Sequence, residues 1–286
     1  MLRFPPRLSW DLFKVRVAQK FSDSSRHPLA LHIDLADFTA PNSAAAGGEN
    51  AESASGSDMG ASSTPTYSTR ESQVLEQVRR SSAPVVWIGG DTPLHYPRIG
   101  QLTREIVDLG RTMFIEMDGT LLRRRIHEFK PVAHLYLVLP IYGLQEVHDA
   151  RAGKTGNFRG TLESIRTARL SGFHVCVQTT IRPNSQVDEL HELTSVISKL
   201  SVDGWILVPS AVEPVSAERL AAEHELIPNS GWKKFSEMVS GEIFAATRGS
   251  RGSSRTQVTK NFPGESEPTL KHIPEPPSNN EGLPAL

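Results

Sequence analysis

Val85-Val86-Trp87-Ile88-Gly89-Gly90-Asp91-Thr92-Pro93-Leu94-His95 is the stretch on which the fold reading turns. A short β-branched and aromatic run ends in two glycines, an acid, a proline and a histidine. Such a run reads as a buried strand. The glycine pair reads as a turn whose backbone passes close to something else. A periodic helical segment follows at once, which places any site at the carboxyl end of the strand.

Working outward, strand and helix patterns alternate for more than a hundred residues. Leu29–Leu35 reads as a first strand, and a helix runs from about Ser68 to Arg80 on Val74, Leu75 and Val78. Helices near 98–109, 121–129, 158–170 and 188–200 then separate strands at 112–117, 135–139, 173–181 and 205–208. The stretch holding Gly143, Gly153 and Gly156 reads as a loop. Strands joined through amphipathic helices by short connections imply parallel βα units. The expected class is therefore α/β, a partial (βα)6 barrel with its functional face at the carboxyl ends of the strands.

The flanks read differently. Residues 1–28 form a lead-in with a short helix, in which Ser9 is a candidate cap. Trp10, Phe13, Val17 and Phe21 are spaced three, four and four, and that face is expected to dock on the domain. Because Arg3, Arg7, Lys14, Arg16 and Lys20 are basic, residues 9–21 are also a candidate for weak association with a membrane surface. Within the 29–210 domain, residues 43–66 are nearly all Ser, Ala, Gly and Thr and read as a disordered insertion. Residues 211–248 read as a helical extension, and 249–286, rich in Ser, Gly, Pro and charge, as a disordered tail.

Composition removes several function classes. With 31 basic and 32 acidic residues, nothing points to nucleic acid. The single cysteine, Cys176, lies in an apolar run, which excludes an internal disulfide and any multi-cysteine metal site built by this chain alone. No apolar stretch approaches the roughly 20 residues of a membrane span, and the N-terminal region lacks the apolar segment of a secretory signal. The expected location is the cytoplasm.

Three tempting motifs have simpler readings. Glu116-Met117-Asp118-Gly119-Thr120 resembles the DxDGT motif of haloacid-dehalogenase-like phosphatases, but glutamate stands where the aspartate nucleophile belongs. Gly153-Lys154-Thr155 matches the end of a P-loop, yet His148 occupies the upstream glycine position. His127, His134, His148 and His191 follow no metal-ligand spacing.

In order along the chain, the segments resemble the radical S-adenosylmethionine (SAM) superfamily, closest to the adenosyl-hopene transferase-like subgroup. Pro5–Leu12 resembles the family's N-terminal helix entry, and His27–Asp34 its first strand. Gly89-Gly90-Asp91-Thr92-Pro93-Leu94-His95 resembles the GGEPLLH motif, whose backbone receives the amino group of SAM. Phe114–Leu122 resembles the segment ending TNGxLL, and Gly143–Arg151 the DGxxExHDxxR stretch. Asp203–Pro209 resembles the last barrel strand. The resemblance implies a [4Fe–4S] cluster held by CxxxCxxC just after the first strand, which cleaves SAM to a radical.

Departures fall on the positions that face the cofactor in that family. Where the cysteines belong, the chain reads Asp37-Phe38-Thr39-Ala40-Pro41-Asn42-Ser43-Ala44. Asp91 replaces the motif's glutamate, Thr92 its proline, and Met117-Asp118 the usual Thr-Asn. The expectation is a degenerate member with no catalytic residues and no bound cofactor, serving as partner or regulatory subunit of an active paralogue or another protein. Gly89, Gly90, Asp91 and Asp118 are the candidates for residual SAM binding. The alternatives are a cluster-independent SAM or nucleotide binder and, more remotely, the phosphatase.

Overall fold

Near-continuous apolar runs make strands that are buried on both faces, as a parallel sheet covered by helices requires. The computed structural model describes residues 4–22, 27–35, 67–90, 93–210, 212–213 and 215–253. The strands are β1 (Ala30–Asp34), β2 (Val85–Gly89), β3 (Thr112–Glu116), β4 (Leu135–Pro140), β5 (His174–Ile181) and β6 (Gly204–Pro209). They pair in sequence order, every pair parallel, as a curled half-barrel. The crossovers carry α2 (Tyr67–Arg80), α3 (Ile99–Asp108), α4 (Gly119–Arg125), α5 (Gln145–Ala152), α6 (Asn157–Leu170) and α7 (Val187–Lys199). Outside them lie α1 (Pro6–Phe21), α8 (Ala217–His224) and α9 (Ser230–Ser253). The expected (βα)6 half-barrel is present. Residues 43–66 and 254–286 lie outside the described residues.

Register stacks one aromatic row across the inner face. His32, Trp87, Phe114, Tyr136 and His174 are successive partners across five strands. Trp87 and Phe114 stack with centroids 5.3 Å apart, Phe114 and Tyr136 at 4.7 Å, and Tyr136 and His174 at 5.1 Å. From α9, Phe235 packs on Phe114 at 5.0 Å and Trp232 on Tyr136 at 6.1 Å, so the lower bore is filled with rings. The upper end of the bore lies beyond this row, at the carboxyl ends of the strands.

An open half-barrel leaves two free strand edges, and α9 covers both. Ser236 Oγ accepts from the Leu207 N–H at 2.8 Å on the free edge of β6. Glu242 accepts from the N–H groups of Leu29 and Ala30, at 2.7 and 2.8 Å, where β1 begins. Edge groups that would otherwise pair with another chain are thereby satisfied. Gly204 makes the approach feasible, because a Cβ there would lie 2.7 Å from the Trp232 ring.

Three expectations are corrected. The Gly143–Gly156 stretch is not a plain loop: it contains α5, short and mostly polar, which ends on the left-handed Gly153 (φ 64°). On α1 the docking face is the opposite one. Leu8, Asp11, Leu12 and Val15 are buried, whereas Trp10, Phe13, Val17 and Phe21 are 60, 57, 40 and 81% exposed. Leu8, Leu12 and Val15 form a second apolar stripe, and the body takes that narrower one. Ser9 does not cap this helix. The N-cap is Pro5, whose carbonyl accepts from the Ser9 hydroxyl at 3.2 Å.

Candidate functional site in the barrel mouth

Side chains alternate along a strand, so residues two beyond the aromatic row face the same bore. Those positions are Asp34, Gly89, Glu116, Val138 and Cys176. Asp34 and Glu116 thus come from β1 and β3, on either side of Gly89. A Cβ on Gly89 would lie 3.2 Å from the Glu116 carboxylate, and one on Gly90 would collide with that of Asp34. Gly90 also has φ 97°, a conformation that L side chains rarely adopt. The glycine pair therefore lets two carboxylates close over the end of β2.

Glu116 is held by its neighbours. Trp87 Nε1 donates to its Oε1 at 2.8 Å. Burial pushes its pKa up, against the opposing hydrogen bonds from Trp87 and Gln178, and the Asp34 charge adds to the rise. His32, one layer lower, is driven down to about 4 by burial, and its Nε2 finds no hydrogen-bond partner among the described residues. Gln178 Oε1 is likewise buried without a partner among them.

Two arginines, Arg151 and Arg182, come from the segments that follow β4 and β5. Arg151 lies over the Tyr142 ring, with Cζ 4.5 Å from the centroid. Burial lowers the Arg151 pKa, and the nearby charge of Arg182, just past β5, lowers it further. Burial raises the Tyr142 pKa, the Arg151 charge opposes the rise, and the charges of Glu116 and Asp118 add to it.

The candidates from sequence separate. Gly89 and Gly90 are at the mouth. Asp91 lies outside the described residues. Asp118 is the N-cap of α4: its Oδ1 accepts from the N–H groups of Thr120 and Leu121 at 2.6 and 3.1 Å and from the Thr120 hydroxyl at 2.5 Å. His148 and Asp149, in the stretch that resembles DGxxExHDxxR, have structural partners. His148 accepts from the Tyr142 N–H at 3.2 Å, and Asp149 accepts from the N–H groups of Gly156 and Phe158, each at 2.7 Å. Asp34, Glu116, Gln178, Arg151 and Arg182 were not among the candidates. Glu116 could have been found from its place at the end of a strand, two residues beyond an inward aromatic.

A family profile described as the radical SAM superfamily matches residues 55–197, half of the chain. The chain belongs to the radical SAM superfamily. It is 27% identical over 157 residues to a protein of Methanosarcina barkeri named AdoMet-dependent heme synthase, covering 54% of this chain and 45% of that one. The chain thus spans less than half the length of that relative. Two solved structures are also similar. Streptococcus suis SuiB bound to its precursor peptide SuiA has a TM-score of 0.45 at 14% identity, over 54% of this chain and 36% of that one. Archaeal TYW1 has a TM-score of 0.45 at 13% identity, over 78% of this chain and 88% of that one.

A radical SAM cluster needs three thiolates and one open iron. This chain has one cysteine, Cys176, at 0% exposure, with a pKa raised first by burial and then by the Asp203 charge. Among the described residues no group of three or more His, Cys, Asp or Glu side chains is arranged to hold a metal ion. The donor set does not fit a [4Fe–4S] cluster. It does suit a cationic amino group, because two carboxylates flank the glycine turn.

Proposed function

We propose that this radical SAM family chain does not assemble a cluster or cleave SAM, and acts as a partner or regulatory subunit, for example of an active paralogue. The observation behind the reading is the single cysteine, sealed within the sheet, in a chain whose barrel core is intact. Loss of donors with retention of packing describes a fold kept for its surface. The heme chemistry in the archaeal relative's name is not carried over, because less than half of that relative is matched. Nor is the phosphatase reading retained, since Asp118 is committed to capping α4.

Anaerobic reconstitution with iron and sulfide tests this. The expected result is no stoichiometric iron and no 5′-deoxyadenosine from SAM. About four irons per chain together with SAM cleavage overturns the proposal. Mixing with an intact radical SAM enzyme of the same organism, followed by sedimentation, tests the subunit role.

A second reading follows from the mouth itself. The carboxylates of Asp34 and Glu116 and the guanidinium groups of Arg151 and Arg182 complement the amino and carboxylate groups of an α-amino acid. Cluster-independent binding of SAM, or of another ligand with such an end, would use these residues. Calorimetry with SAM, repeated on Asp34→Asn and Arg151→Gln, is the test. No heat at millimolar ligand rejects it.

A further inference from the structure

Among the described residues, the exposed aromatic side chains Trp10, Phe13 and Phe21 all lie on the outward face of α1. Trp10, Phe13, Val17 and Phe21 form one continuous stripe, exposed along the whole helix, with Trp10 stacked on Phe13 at 5.6 Å. At 100° per residue the cations fall on both borders of that stripe: Arg7 and Lys14 on one side, Arg16 and Lys20 on the other. The helix has one acid, Asp11, which faces the body and holds Lys14 at 2.9 Å. Arg7 is tied to the carbonyl of Gly110 and to His134. Arg16 and Lys20 have no ion-pair partner among the described residues.

We propose that α1 docks this protein on an anionic phospholipid surface, lying in the plane of the interface with its aromatic stripe among the acyl chains. The charge pattern decides for a lipid headgroup layer over another protein's groove. Arg16 and Lys20 can rise to phosphates along one border while the ring stripe sinks beside them, and the half-exposed Lys14 lies along the other. Tryptophan and phenylalanine suit that boundary, where one end of the side chain is apolar and the other wet. The opposite face, through Leu8, Leu12 and Val15, stays anchored to the barrel, so docking requires no unfolding. No helix among the described residues is long and apolar enough to cross a membrane.

The test is co-sedimentation of the full chain with vesicles of phosphatidylcholine alone or mixed with phosphatidylglycerol. Tryptophan emission is read in parallel. Trp87, Trp205 and Trp232 are buried, so a blue shift on binding reports Trp10. Binding is expected to the mixed vesicles, to weaken with salt, and to disappear in the W10S/F13S/F21S variant. R16Q/K20Q is expected to weaken it roughly 25-fold, at about fivefold per cation. All five positions are exposed on one helix, and circular dichroism checks that the variants stay folded. Equal binding to phosphatidylcholine alone, undiminished binding of either variant, or no binding overturns the proposal. So does a stripe that sets the oligomeric state and leaves vesicle binding unchanged, which would assign the face to a protein contact.

Discussion

The indole nitrogen of Trp87 donates to Oε1 of Glu116 at 2.8 Å, linking the filled lower bore to the acidic upper mouth. Trp87 belongs to the aromatic row that stabilises the half-barrel. Glu116 stands one layer above it, where that packing stops. The bond fixes the carboxylate beside Gly89 and Asp34 instead of leaving it to solvent.

Burial raises the Glu116 pKa, helped by the Asp34 charge, so folding favours its neutral form. The folded chain then binds more protons than the unfolded one between the ordinary glutamate value and the raised one, and stability falls as pH rises through that window. Glu116→Gln keeps an oxygen to accept from Trp87 and removes the titration. The variant is expected to gain about 1 kcal/mol at pH 8 and nothing near pH 4. Thermal melts across that range check it. A gain in stability with a loss of ligand heat would mark Glu116 as a site residue held at a cost.

His32 has the opposite acid response. Burial holds its pKa at about 4, against an ordinary 6.5, and its ring lies tilted beside that of Trp87, with centroids 6.1 Å apart. The unfolded chain takes up this proton first on acidification, so the stability contribution is complete above pH 6.5 and is lost as pH falls toward 4. His32→Phe keeps a ring in the row and deletes a nitrogen with no partner among the described residues. It is expected to add about 1 kcal/mol at pH 7 and to flatten the slope between pH 6.5 and 4. Urea unfolding at several pH values in that interval reads both effects.

The strands and their order were legible because parallel strands buried on both faces must be apolar throughout, as Val85–Ile88 and Leu135–Leu139 are. Asp34 and Glu116 were harder to assign to a site. Each ends an apolar run, but only register shows that they face one bore across Gly89. Asp118 misled for a local reason: an acid before Gly-Thr reads as chemistry, and its carboxylate is occupied by the first turn of α4. The stripe on α1 misled for a global one. Periodicity announces an apolar face without saying whether the body or something outside covers it, and Leu8, Leu12 and Val15 took the inner side.

At the lower end of the barrel, Asp203 ties β5 to β6. It accepts from Arg169 at 2.5 Å, from the Val175 N–H at 2.8 Å, and lies 3.2 Å from His174 Nδ1. Burial alone would raise its pKa, but the hydrogen bonds from His174 and Val175 and the Arg169 charge pull it below the ordinary value. The stability it contributes is present at neutral pH and lost as pH falls below the ordinary 3.8 through the depressed value. Asp203→Asn keeps one acceptor and strands a part-buried guanidinium, at a cost of about 2 kcal/mol at pH 7. The difference from the parent should shrink at pH 3, which denaturant melts at both pH values will show.

The strap made by α9 gives a prediction about cooperativity. Gly204→Ala drives a methyl into the Trp232 ring, 2.7 Å away, and neither the strand nor the packed indole has room to yield. The expected cost is about 1–3 kcal/mol. Ser236→Ala removes the partner of both the N–H and the carbonyl of Leu207, on an edge that no further strand among the described residues covers. Leaving those groups unpaired costs about 1–3 kcal/mol. Both changes loosen the same contact between α9 and β6, so the double variant should lose less than the two single losses combined. Hydrogen exchange locates the effect: amides of β6 lose protection first, while those of β3 and β4, interior to the sheet, keep theirs until global unfolding. Uniform loss of protection across all the strands would instead mean that α9 folds with the barrel as one unit, with no separate strap to release.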